Sequence, residues 1–120
     1  MPACCRLLEM LREPRLEFPE FPVALSNLML LAPGEIEQAL TARLAAVRAG
    51  RAAQERSLAD AAALGVPRVA MLEIEYTRAL AAAEDDWLES VLADLRSGRL
   101  TWSDEELIAI ARAGEAQASQ

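Results

Sequence analysis

Carboxylates and aromatics are the side chains of this sequence best suited to chemistry. Glu84-Asp85-Asp86 is its densest acidic run, with Glu73 and Glu75 upstream and Tyr76 and Trp87 close by. Clustered carboxylates can do acid–base work or hold a cation. Three consecutive helical residues point in different directions, however, and cannot converge on one ion. The run therefore reads as a solvated face with one inward member, Glu84, and Glu73 and Glu75 read the same way. All twelve basic residues are Arg, and with no His a His-based general base, a triad and a histidine-ligated metal site are excluded. No GxGxxG, GxxxxGK[ST] or acidic loop of calcium-binding spacing occurs. Cys4 and Cys5 are adjacent, a poor geometry for a mutual disulfide, and two thiols without His do not complete a standard zinc site. They read as small apolar residues in a reduced compartment. The expectation is no enzyme, no cofactor and no metal.

Charge narrows the partners. Nineteen acids against twelve Arg leave a net −7, a sign that opposes a phosphate backbone, and no basic block compensates locally. Direct nucleic-acid binding is not expected. Met1-Pro2-Ala3 leads into Cys4-Cys5-Arg6 without the basic and long apolar regions of a signal peptide. No apolar stretch approaches the roughly 18–20 residues of a membrane span. A cytoplasmic location follows as an expectation.

The elements that must position these residues are helical. Apolar residues make up 53% of the 120 and aromatics 4%, so the core must come from Leu, Ile, Val, Met and Ala. Leu7, Leu8 and Leu11 share one face of a short amphipathic helix over about 3–12, which Pro14 ends. An extended stretch follows, with Phe18 and Phe21 as aromatic anchors between prolines. A short helix from Val23 to Leu31 carries Leu25, Leu28 and Leu31 and has little polar face, so it is expected to be buried.

Pro33 opens a long helix to about Leu64, in which Ile36, Leu40, Leu44, Val47, Leu58 and Ala61 keep steps of three or four, interrupted by Arg51 and Gln54. Gly65-Val66-Pro67 stops it and starts the next, which runs to Ser97. There Val69, Leu72, Tyr76, Leu80, Ala83, Trp87, Val91 and Leu95 form an apolar stripe that predicts a buried seam. Tyr76 and Trp87 are core on that reading, with contact to a small molecule as the alternative. Ser103 and Glu106 have capping-box spacing before a last helix, and the tail beyond Gly114 is expected to fray. No strand and no internal repeat is evident. Helix should exceed about two thirds of the chain.

The fold class that follows is all-α: a long antiparallel helical hairpin with short flanking helices. With the turn centred near 65–66, Glu35 should face Arg96, Arg43 lie near Glu89, Arg48 near Glu84, Glu55 near Arg78 and Arg56 opposite Glu75. Glu37 opposite Asp94 and Asp60 near Glu73 would be unfavourable. Exposed pairs contribute about 0–1 kcal/mol each, so they choose register rather than supply stability.

Several runs, in order, carry a resemblance. Phe21-Pro22-Val23-Ala24-Leu25-Ser26-Asn27-Leu28 and Leu31-Ala32-Pro33-Gly34-Glu35 come first, then Leu40-Thr41-Ala42-Arg43-Leu44 and Leu64-Gly65-Val66-Pro67-Arg68. Leu72-Glu73-Ile74-Glu75-Tyr76, Ala83-Glu84-Asp85-Asp86-Trp87-Leu88 and Gly98-Arg99-Leu100-Thr101-Trp102 follow. Together they resemble the C-terminal helical domain of PadR-like transcriptional regulators over roughly residues 7–112. That family joins a winged helix that reads DNA to C-terminal helices that hold a homodimer, and some members respond to planar aromatic compounds. No segment here matches the winged helix, so no DNA-contacting residue carries over. The expected organisation is a short N-terminal helix and linker over 1–17, a domain resembling the PadR-like helical domain over 18–113 and a disordered tail over 114–120. The implied role is a dimerisation and regulatory domain. A second copy, packed through apolar faces of residues 7–31 and part of the second long helix, is the expected partner, and a complete PadR-like relative is the other. A planar-aromatic sensor contacting Tyr76 and Trp87, and a free-standing helical protein–protein interaction module, stand as alternatives.

Overall fold

The computed structural model describes residues 3–14 and 20–119, with side chains from Arg6 onward. The expected roles of Cys4, Cys5 and Phe18, and the extended stretch around Phe18, lie outside the described residues. Of the described residues 85% are helical, and none is in a strand. It forms two compact units, Met1–Leu30 and Leu31–Gln120, dividing later than the boundary at 17/18 read from the sequence.

In the first unit α1 spans Ala3–Arg12. The Glu13 N–H still bonds the Glu9 carbonyl (3.0 Å), and Pro14 ends the run because it has no N–H. Leu7, Leu8 and Leu11 are exposed. Helix α2 spans Glu20–Ser26, starting before the expected Val23 and putting Pro22 in the first turn, where a missing N–H is harmless. It stops early because side chains take its last carbonyls: Ser26 Oγ donates to Pro22 (3.0 Å) and Asn27 Nδ2 to Val23 (2.8 Å). A 3₁₀ turn, Leu28–Leu30, follows. The expected burial of this segment does not occur. Val23, Met29, Leu30 and Leu31 are exposed, and Phe21, Leu25 and Leu28 are only half-buried. A unit this short has too little chain to enclose its own apolar surface.

The second unit holds α3, Pro33–Ala63, and α4, Leu72–Ser97. Between them the Val66 N–H bonds the Ala61 carbonyl and the Gly65 N–H bonds that of Ala62 (2.9 and 3.1 Å). These are the paired bonds of a Schellman stop, and Gly65 takes the positive φ of 72° that the motif needs. A 3₁₀ turn, Arg68–Met71, leads into α4. Arg96, late in α4, bonds Glu37, early in α3, whereas Asp85 meets Arg48. The helices therefore run in opposite directions. Ile36, Leu40, Leu44 and Ala61 of α3 are buried, as are Leu88 and Leu92 of α4. Helix α5, Asp104–Ala118, starts where the Glu106 N–H donates to Ser103 Oγ (3.2 Å), with acids in its first turn favoured by the helix dipole. It continues through Gly114 to Ala118, beyond the point where fraying was expected. Ala111, Ala113, Ala116 and Ala118 supply the propensity.

Candidate functional site

Helix α4 has two apolar faces, and the smaller one meets α3. At 100° per residue, Ile74, Ala81, Asp85, Leu88 and Leu92 fall on one side. Asp85, Leu88 and Leu92 of that set are buried, and Ile74 and Ala81 are half-buried. Leu72, Tyr76, Leu80, Ala83 and Trp87 fall well round the helix and are exposed. The expectation that the Tyr76–Trp87 stripe forms the hairpin seam is thus corrected. Trp87 is 44% exposed and Tyr76 64%. Both stripes repeat at three or four, and the sequence reading followed the bulkier one. Val91 and Leu95 lie at the margins, half-buried. Ile36, Leu40, Leu44 and Ala61 of the expected α3 stripe do enter the core.

An ion network explains the choice of face. Asp85 is buried at 6% exposure, a position that an unpaired carboxylate does not occupy. It accepts from Arg48 Nε and Nη2, each at 3.0 Å, and Arg51 Nη1 lies 3.6 Å away. The Arg48 guanidinium, hydrogen-bonded to it, holds the Asp85 carboxyl below its ordinary range against the opposing effect of burial. Asp85, not Glu84, is therefore the inward acid. Glu84 sits at the seam's edge and takes two bonds from Arg43, at 3.0 and 2.6 Å.

The expected register is right in direction but differs in its pairs. Arg96 pairs with Glu37 rather than Glu35 (2.8 Å), so the feared repulsion at Glu37 is replaced by an attraction. Arg43 takes Glu84 rather than Glu89, and Arg48 takes Asp85 with Glu89 at 3.4 Å. Glu55 pairs within its own helix with Arg51. Glu75 pairs with Arg68 (2.6 Å), whose hydrogen-bonded guanidinium keeps the Glu75 carboxyl below its usual range. A rotation of α4 about its axis changes every partner while leaving the antiparallel direction intact.

The exposed stripe is the site of interest. Between Leu72 and Val91 its centre reads Leu72, Tyr76, Ala79, Leu80, Ala83, Trp87 and Ser90 without a charge, while Glu73 shares the azimuth of Val91 at its edge. The chain as a whole carries −7. A mainly apolar band of this length with exposed aromatics is a surface suited to contact. Among the described residues no group of three or more His, Cys, Asp or Glu side chains could hold a metal ion. No described helix is long and apolar enough to cross a membrane. Comparison with protein-family models, with curated proteins and with solved structures finds no match.

Proposed function

We propose that the chain is a dimerising, regulatory helical domain of the kind its motifs resemble, the C-terminal part of a PadR-like transcriptional regulator. It does not bind DNA itself and has no enzyme activity. The observation that supports this reading is the outer face of α4. A helix buries one stripe against its hairpin partner, yet here the larger apolar stripe, with Tyr76 and Trp87, faces away from α3. Contiguous apolar surface beyond a few hundred Å² is uncommon on proteins that act alone, and a two-fold homodimer is the commonest closed solution. Contact is mainly apolar, so it should respond little to salt.

Sedimentation equilibrium at tens of micromolar tests the proposal. A mass near twice 13.0 kDa, and its loss in Leu80→Ser with helix content unchanged, are the expected results. A 13.0 kDa species throughout defeats it.

The exposure of Tyr76 and Trp87 favours a second reading, a planar-aromatic effector contacting both rings. Titrating a planar aromatic into the Trp102→Phe protein, where Trp87 is the sole tryptophan, tests it: unchanged fluorescence up to the compound's solubility removes it.

A further inference from the structure

We draw no further inference here: the strongest candidate, the open hollow of about 540 Å³ between α3 and α4 beside Val47, Gly50, Gln54 and Leu80, has its charged lining residues Arg51 and Glu84 already paired and the one unpartnered oxygen, Gln54 Oε1, shut off from solvent, so nothing in the structure shows what covers it.

Discussion

Leu88 and Trp87 are neighbours in sequence and lie on different faces of α4, so truncating each in turn measures which face α3 covers. Leu88 has none of its surface exposed, while Trp87 keeps 44%. Leu88→Ala removes atoms from a closed site and leaves a cavity, at a cost of about 2–5 kcal/mol. Against a total stability of about 5–15 kcal/mol for a domain, that is a large loss. A fully buried Trp→Ala costs about 3–5 kcal/mol, but Trp87 covers only part of its surface within the chain, so about 1–2 kcal/mol is expected. Urea titrations followed by circular dichroism would give both values. They must be made at a dilution where sedimentation shows the 13.0 kDa species, since a dimer adds a concentration-dependent contribution to Trp87. If Trp87→Ala costs as much as Leu88→Ala in the monomer, the orientation of α4 is wrong and the bulkier stripe forms the seam after all.

Three further outcomes are expected. Asp85 and Glu75 have carboxyls held below their ordinary range by Arg48 and Arg68. Their contribution is therefore fully present above the usual carboxylate pKa and is lost as pH falls through the lower folded values. The urea midpoint should fall between about pH 5 and pH 2, and the fall should be shallower in Asp85→Asn; an equal slope would remove Asp85 as a cause. Gly98 has a φ of 80°, where a Cβ costs about 1–2 kcal/mol, so Gly98→Ala should lower the thermal midpoint; no change would show that the chain relaxes there. At −7 the chain should give no mobility shift with duplex DNA at roughly 50 mM salt, and micromolar binding would refute the non-DNA reading.

The sequence made the backbone plan legible because its punctuation is local. Pro14, Pro33, Gly65 and Gly98 act through φ restriction or a missing N–H, and Ser103 through one side-chain bond. None of these depends on tertiary contact. Helix orientation is different. Apolar periodicity on α4 supports two faces, and only α3 decides between them. The deciding residue, Asp85, is one that an apolar count scores against the correct face. Its signal was present in Arg48 and Arg51, three apart on α3 and able to reach one carboxylate, but several acids of α4 were equally eligible. The short α2 is illegible for a related reason. Apolar composition alone does not imply burial, which requires a neighbour to supply the covering surface.

Placing an acid in the seam adds little net stability, because the desolvation of Asp85 and the arginines opposes their attraction. Its effect is on alternatives. Alanines at 45, 46, 52, 53, 79, 81, 82 and 83 offer few shape cues, and α4 could slide or rotate on α3 at small cost if apolar contact alone fixed it. A one-turn slide would carry Asp85 away from Arg48 and Arg51 and leave a buried carboxylate unpaired, a penalty of several kcal/mol. Rotating the Tyr76–Trp87 stripe into the seam would expose Leu88 and Leu92 and break the same bonds. The charged seam thus excludes the very packing that the bulkier apolar stripe would otherwise favour, and it keeps that stripe on the outside, where a second copy can reach it.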